Sequence, residues 1–403
     1  MSPLPELDPF TGDVVYSQAL LEQPPPGIVY VRYDDALASG ELVEHGRRAA
    51  IEKAHGTRAT AVAWARLIRE HAINDVRLTG LLFREPFRTL EIRGDFDLVH
   101  CHTYSARWLG EPTPVLVSNA IPLSELYARA RGWGSARVRC ADDADRALAR
   151  ILGITHIEHG LAHADRFVAF THKLKAWYVD QGVPPDRIGV VPCFPAEMPD
   201  EVTADRVPGR IGFVAGDFRA KGGDTVVRAM ALVRAVRPEA HLWVGGGTAP
   251  SSTLDGITWQ GYVDRRKLLT EFFPSCEAFA YPSRFDGLPL TLLEAMGSGL
   301  PTVVSDYFAL PEVVGTGGGG RVVPQNDPRA LADALLELLD PKANAAASAA
   351  IRSRYESTYA PEVVLPNLRT NYELAISAAA PRLAAARREA GANREVIHSD
   401  TTP

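Results

Sequence analysis

Short runs of apolar and β-branched residues alternate with segments of helical periodicity through both halves of the chain. Alternation of this kind is typical of βαβ units, which build parallel sheets covered by helices. The pattern therefore predicts an α/β protein. In the first half the expected strands are residues 28–31, 98–101, 115–117 and 166–170. In the second half they are residues 211–214, 241–244, 257–259, 278–280 and 301–304.

A stretch rich in proline and acidic residues, with no lasting periodicity, separates the two sets of strands. Beyond it the helical pattern resumes, and Val226, Met230 and Val233 share one helix face through i, i+4, i+7 spacing. We therefore expect two Rossmann-like domains. The predicted segments are an N-terminal domain at 1–193, a linker at 194–208, a C-terminal domain at 209–362, a final helix at 363–390 that can cross back to the first domain, and a disordered tail at 391–403.

Composition agrees with two cores and narrows the function classes. The chain has 403 residues and is 46% hydrophobic, enough to fill two domains. Its net charge of −6 provides no overall positive field for a polyanion, so no nucleic-acid partner is expected. The four cysteines lie far apart with no C-x-x-C pair, which favours a reducing compartment over a disulfide framework.

Residues 1–10, MSPLPELDPF, are acidic and proline-rich and do not resemble a secretory signal. No apolar run approaches the roughly 20 residues that cross a bilayer. We therefore expect a cytoplasmic protein. One alternative is peripheral contact with a membrane surface through the amphipathic stretch at 59–72, ATAVAWARLIREHA.

The strongest chemical signal lies at residues 283–301, SRFDGLPLTLLEAMGSGLP. It combines a strand end, a glycine turn and a helix, with Pro289 in the first turn, where its missing amide has no intrahelical partner. We expect the helix to begin at about Leu288. The free amides of Leu288, Leu290 and Thr291, at the positive end of the helix dipole, would suit a diphosphate.

Two carboxylates flank this helix start with the spacing D-x7-E. Glu294 lies one turn and a half into the helix, and its side chain leans back toward the N-terminus, so it can reach ribose hydroxyls beside a diphosphate. Asp286 lies before the helix, on the other side of the turn. The pair would bracket a bound diphosphate, one acid on the nucleoside side and one on the sugar side.

A second strand, glycine loop and helix occur at residues 213–224, FVAGDFRAKGGD. In α/β sheets such loops gather at the carboxyl ends of the strands, where ligands bind. Arg219 and Lys221 would supply the positive charge that a leaving diphosphate requires.

Together these segments resemble the large family of retaining, nucleotide-sugar-dependent glycosyltransferases with the GT-B fold, glycosyltransferase family 4 (glycosyl transferases group 1). The family's loop with a basic pair is similar to GDFRAKGG, and its E-x7-E element to DGLPLTLLE. EAMGSGLPTVVSD and LPEVV follow in the family's order. The resemblance is close over residues 211–339 and looser in the first half. It implies two Rossmann-like domains that face each other across a cleft.

The resemblance also implies a reaction and a set of roles. A sugar moves from a nucleoside diphosphate, expected to be a UDP- or GDP-sugar, to a hydroxyl acceptor with retention of anomeric configuration, and no cofactor is required. The C-terminal domain would hold the donor and the N-terminal domain the acceptor. The implied contacts are Lys221 and Arg219 with the pyrophosphate, Glu294 with the ribose, Asp286, Gly287 and the amides after it with the donor sugar, and backbone at Gly261 and Tyr262 with the base.

The sequence departs from the family pattern at several positions. Asp286 replaces the commoner glutamate, and Gly216 stands where many relatives carry the basic residue, for which Arg219 would substitute. In the first half Gly12 and the helix after it would have to serve as the family's glycine loop, because the usual preceding strand is missing. The weaker acceptor-side candidates are His102, near a strand end, and Asn119, where the family commonly has a histidine.

Alternatives stay open at this stage. A catalytically silent nucleotide-sugar-binding protein and a GT-B sugar-nucleotide epimerase would carry the same donor motifs. We predict no metal site, because the D-x-D at Asp95 and Asp97 leads into a strand without further ligands, and Gly160 interrupts the spacing of His156, His159 and His163. The sequence leaves the oligomeric state open.

Overall fold

The structure is a computed structural model. It describes residues 12–45, 89–102, 107–109, 113–122, 164–180, 182–195, 198–199, 205–246 and 255–399, together with the single positions 137, 140, 143, 144 and 147.

The N-terminal half is built on a four-stranded parallel sheet of order β3-β5-β6-β7. A smaller sheet has the order β1-β2-β4, with β1 antiparallel to β2. The elements in chain order are α1 (Gly12–Glu22), α2 (Tyr33–Ser39), β1 (Leu42–His45), β2 (Thr89–Ile92), β3 (Val99–His102), β4 (Arg107–Leu109), β5 (Val115–Asn119), β6 (Arg166–Ala169), α3 (His172–Asp180) and β7 (Ile188–Val190).

The C-terminal half contains a six-stranded parallel sheet of order β10-β9-β8-β11-β12-β13. Its elements are β8 (Arg210–Val214), α4 (Gly223–Val236), β9 (His241–Gly245), β10 (Ile257–Gly261), α5 (Arg265–Lys267, continued by a π-helical turn at Leu268–Phe272), β11 (Ala278–Tyr281), α6 (Leu290–Gly297), β12 (Thr302–Ser305), α7 (Leu310–Val314), β13 (Gly320–Val323) and α8 (Pro328–Leu338). Two further helices follow, α9 (Pro341–Thr358) and α10 (Pro361–Ser399).

The apolar stripe predicted for the first helix of this half is the face that packs. Val226, Met230 and Val233 of α4 are buried in one cluster with sheet residues and with the apolar side of α8. These helices therefore cover the sheet with their apolar faces, as is typical of parallel sheets in α/β proteins.

Helix α10 returns to the N-terminal half after leaving the C-terminal one. Arg166 Nε donates to Asn371 Oδ1 at 2.8 Å, and Arg382 pairs with Asp165 at 2.8 Å. Gly189 packs closely under the same helix, because a Cβ there would lie 2.0 Å from Asn371 Oδ1. The chain thus crosses between the halves twice, once before β8 and once through α10.

Two sequence expectations about elements are wrong. Residues 28–31 form no strand. Ile28 and Tyr30 alternate inward as in a strand, but they pack beside α10, where the Tyr30 and Tyr372 hydroxyls lie 2.6 Å apart, and none of the described strands pairs with them. The tail expected to be disordered at 391–403 is helical as far as Ser399. Its alanine, arginine and glutamate residues are good helix formers, and they continue the preceding helix.

Candidate active site

Two loops of the C-terminal half meet at one edge of its sheet. Strands β8 and β11 are parallel neighbours, so the loops that follow them leave the sheet on the same side. The Arg284 amide donates to the Ala220 carbonyl at 2.8 Å. Gly222 has a φ of +80°, and a Cβ there would lie 2.2 Å from the carbonyl oxygen of Pro282, so a side chain does not fit. The two loops singled out in the sequence are therefore in direct contact.

Lys221 lies at this junction, in the loop after β8, and its ammonium contacts the loop after β11. Its Nζ forms an ion pair with Asp286 Oδ2 and lies 3.4 Å from the carbonyl oxygen of Phe285. Tyr281, at the end of β11, donates its hydroxyl to the same carboxylate oxygen at 2.5 Å. Asp286 thus receives two donors and holds the lysine at the edge of the sheet. Spacing alone did not reveal the pairing of Lys221 with Asp286, since it depends on how β8 and β11 pair, or the part of Tyr281, since it depends on how the loop after β11 turns back.

Arg284 is a second residue that the sequence analysis missed. Its guanidinium makes two parallel hydrogen bonds to Asp224, at 2.7 Å and 2.9 Å, and donates to the Arg219 carbonyl at 2.6 Å. Hydrogen bonds from Arg284 hold the pKa of Asp224 below its ordinary value. The fork fixes the shape of the lysine loop, while the side chain of Arg219 is exposed on it. Gly216 is exposed at the beginning of the same loop.

Helix α6 begins at Leu290, two residues later than expected. Pro289 is the N-cap with an extended backbone rather than the first helical residue. Its carbonyl accepts from the amides of Leu292 and Leu293, at 3.1 Å and 3.2 Å, so the turn closes on the proline. A helix that begins here leaves the amides of Leu290 and Thr291 without intrahelical acceptors. Leu288 precedes the helix and is buried.

Glu294 lies in the second turn of α6 with only 4% of its surface exposed. Its Oε1 lies 3.0 Å from Nη2 of Arg265, in the first turn of α5. Burial raises the pKa of Glu294 to about 7, although Arg265 pulls it the other way. The sequence predicts a ribose contact for this carboxylate, and the structure pairs it with an arginine from the segment after β10.

Gly261 ends β10, and Tyr262 follows it with 67% of its surface exposed. The Gly246 amide, after β9, donates to the Gly261 carbonyl at 2.6 Å. This turn therefore lies at the carboxyl ends of the strands, as the two loops above do. It is the outermost of the three, because β10 is an edge strand of the sheet.

The acceptor-side candidates are enclosed in the N-terminal half. His102 is 3% exposed, accepts or donates a hydrogen bond with Ser118 Oγ at 2.9 Å, and stacks on Phe170. A direct contact between this ring and an acceptor would require its aromatic neighbours to move. Gly12 is the first residue of α1, whose Tyr16 packs on His102 at 4.9 Å between ring centroids.

Asn119 ends β5 and is 3% exposed. Its Nδ2 donates to the Tyr178 hydroxyl, and its Oδ1 accepts from the Ile121 amide, both at 3.1 Å. The side chain therefore shapes the turn at the end of β5. That turn touches the other half, because a Cβ on Gly287 would lie 2.2 Å from the Ala120 carbonyl oxygen. The proposed acceptor and donor sides come together at Gly287.

The described residues also bear on a metal site and on a membrane-spanning helix. Within the described ranges no group of His, Cys, Asp and Glu side chains is arranged to hold a metal ion. No helix in that part of the chain has the length and apolar character to cross a membrane. The histidines at 156, 159 and 163 and the amphipathic stretch at 59–72 lie outside the described residues.

Residues 208–341 match the family model described as Glycosyl transferases group 1. The chain is 31% identical, over 160 residues, to a GDP-mannose-dependent monoacylated alpha-(1-6)-phosphatidylinositol monomannoside mannosyltransferase of Corynebacterium glutamicum, covering 36% of this chain and 42% of the relative. It is 28% identical over 271 residues to an MMP alpha-(1->4)-mannosyltransferase of Mycolicibacterium hassiacum, covering 62% and 63%. The matched part is less than two thirds of the length of either relative.

The fold is similar to that of sucrose-phosphate synthase from Thermosynechococcus elongatus, with a TM-score of 0.51 and 16% identity over 88% of this chain and 83% of that one. The chain therefore has the GT-B fold, with two Rossmann-like halves, as the sequence predicts.

Proposed function

We propose that the chain is a glycosyltransferase that moves a sugar from a nucleoside-diphosphate donor to a hydroxyl acceptor. The observation that supports this most is the meeting of Lys221, held by Asp286, with the start of α6 at one edge of the C-terminal sheet. A departing diphosphate requires fixed positive charge and N–H donors at the place where its negative charge develops. The ammonium and the free amides would provide both.

Each candidate residue has a proposed part in this site. Lys221 and the exposed Arg219 would neutralise the diphosphate, and Asp286 would orient Lys221 and contact the sugar. The backbone around Gly287 lies against the other half of the chain, which helps to exclude water from the reacting atoms. The remaining proposed contacts are Leu288, Leu290 and Thr291 with phosphate or sugar oxygens, Glu294 with the ribose, and Gly216, Gly261 and Tyr262 with the nucleotide.

We further propose that the anomeric configuration is retained, following the family resemblance. Asp286 is engaged by Lys221 and Tyr281, and a carboxylate held by two donors is a poor covalent nucleophile. This supports a front-face displacement in which the leaving diphosphate helps to deprotonate the acceptor hydroxyl. NMR of the product tests retention through the one-bond carbon–proton coupling constant at the anomeric carbon. An inverted product would contradict the proposal.

Calorimetric titration with UDP, GDP, ADP and dTDP tests the donor site. We expect one of the first two to bind with a dissociation constant in the micromolar range, and the GDP-mannose-dependent relative makes GDP the first choice. Absence of binding across the panel would overturn the proposal.

Product analysis then separates the alternatives. A transferase or a donor hydrolase releases free nucleoside diphosphate from the nucleotide sugar, whereas an epimerase keeps the diphosphate attached to the sugar. A silent binding protein leaves the nucleotide sugar unchanged. We expect nucleoside diphosphate to accumulate, and more rapidly when a hydroxyl acceptor is present.

A further inference from the structure

The pair formed by Arg265 and Glu294 joins two different parts of the donor site. Arg265 lies four positions after Gly261, at the beginning of α5, and Glu294 lies in α6. Asp264 caps α5 by accepting from the Lys267 amide at 3.0 Å, which fixes where the arginine leaves the backbone. The segment proposed to contact the base is thereby attached to the carboxylate proposed to contact the ribose.

The guanidinium of Arg265 retains an unused donor. Its Nη2 is buried and lies 3.0 Å from Glu294 Oε1, but the approach is off the hydrogen-bond direction. Among the residues that the structure describes, this nitrogen has no hydrogen-bond partner. A buried donor without a partner costs free energy of about 1–3 kcal/mol, so a cation kept in that state beside a carboxylate points to an interaction that the site makes with a ligand.

We propose that Arg265 is a positioning residue for the donor ribose: its guanidinium holds the Glu294 carboxylate in the orientation in which it accepts the hydroxyls of the nucleotide. This inference rests on the proposed function. It extends that function to a residue outside the motifs that identified the site.

The electrostatic surroundings of Glu294 support this part for Arg265. Burial favours the protonated carboxyl and raises its pKa to about 7, and Arg265 is the cation that opposes the shift. Tyr355 of α9 also interacts with Glu294, and burial raises the pKa of its hydroxyl, so it stays neutral. Without the arginine, Glu294 would be protonated at neutral pH and would accept ribose hydroxyls less well.

The test compares UDP and GDP with their 2′-deoxy counterparts by calorimetry across pH 6 to 9. The parent chain is expected to prefer the ribonucleotide about tenfold, the effect of one hydrogen bond to a charged group. In Arg265→Gln this preference should fall below about twofold at pH 7.5 and return only at higher pH. The matched control is Arg266→Gln, which changes the exposed neighbouring arginine of the same helix and should keep the preference of the parent.

Each other outcome has a definite meaning. A parent-like preference and pH profile in Arg265→Gln would overturn the inference and leave the proposed function intact. If the parent binds nucleotide without preferring ribose, the assigned contact of Glu294 is wrong and the inference fails with it. No binding by the parent would overturn the proposed function as well. Should Arg265→Gln not fold, Arg265→Lys decides: the preference should drop at least about twofold, and an unchanged preference would overturn the inference.

Discussion

Glu312 caps a helix in the other half of the molecule. Its Oε1 accepts from the His172 amide at 2.7 Å, and its Oε2 accepts from the Lys173 amide at 2.9 Å. These are the first two amides of α3, which have no acceptors within their own helix, and the helix dipole favours a negative charge beside them. The glutamate of the LPEVV segment therefore ties α7 of the C-terminal half to α3 of the N-terminal half.

We expect Glu312→Ala to lower the free energy of unfolding by about 1–2 kcal/mol, the cost of losing a charged helix cap. Differential scanning calorimetry measures the change. Glu356→Ala is the control, since Glu356 forms an exposed pair with Arg352 within α9 and should change stability by less than about 0.5 kcal/mol. Equal shifts in the two variants would show that the cap between the halves contributes nothing.

Lys221→Ala should lower kcat by about 100-fold to 1,000-fold, because the charge that stabilises the leaving diphosphate is removed. Its melting temperature should stay close to that of the parent, since Asp286 retains the Tyr281 hydroxyl as a donor. The control is Lys342→Ala, an exposed lysine at the beginning of α9, which should keep full activity. Parent-like turnover in Lys221→Ala would refute the assignment of the phosphate site.

Glu294→Gln should change the dependence of stability on pH. The pKa of Glu294 rises from 4.5 to about 7 on folding, so between these values the folded state binds more protons than the unfolded state. Stability of the parent therefore falls as pH rises through this window, and the glutamine variant lacks that loss. The stability of the variant relative to the parent should increase by about 2 kcal/mol between pH 5 and pH 8 in urea titrations.

Glu337→Gln is the control for the pH experiment, because the pKa of Glu337 is shifted in the direction opposite to that of Glu294. Hydrogen bonds from Arg321 lower the pKa of Glu337, so this carboxylate stabilises the fold when it is ionised. Its replacement should cost stability at neutral pH, and the loss should shrink as pH falls through its lowered pKa. If both variants gave the same pH trend, the raised pKa assigned to Glu294 would be wrong.

Gly287→Ala should disturb the contact between the halves. The added Cβ would lie 2.2 Å from the carbonyl oxygen of Ala120, and a backbone atom cannot move aside as a flexible side chain does. We expect a loss of about 1–3 kcal/mol in unfolding free energy, the usual cost of overpacking, together with weaker catalysis. Gly317→Ala is the control, because its Cβ would meet nothing within 4 Å. A parent-like melting temperature in both would argue against the close approach.

Much of the C-terminal half could be predicted from the sequence. The strands at 211–214, 241–244, 257–259 and 278–280 all occur within a residue or two of their expected positions. Their short apolar runs and glycine turns are local properties, so a sequence pattern can reveal them. Residues 28–31 have the same local pattern but form no strand. A strand also requires a neighbouring strand to pair with, and pairing is not a local property.

For the site, the sequence by itself determined which residue types stand at the ends of β8 and β11: a lysine in a glycine loop, and two acids around a helix start. Only the tertiary structure decided their partners. The ion pair of Lys221 with Asp286, the pair of Arg265 with Glu294 and the enclosure of His102 all join residues from separate elements. Strand order and the packing of α5, α6 and α10 bring them together, and these depend on long-range contacts that no spacing along the chain encodes.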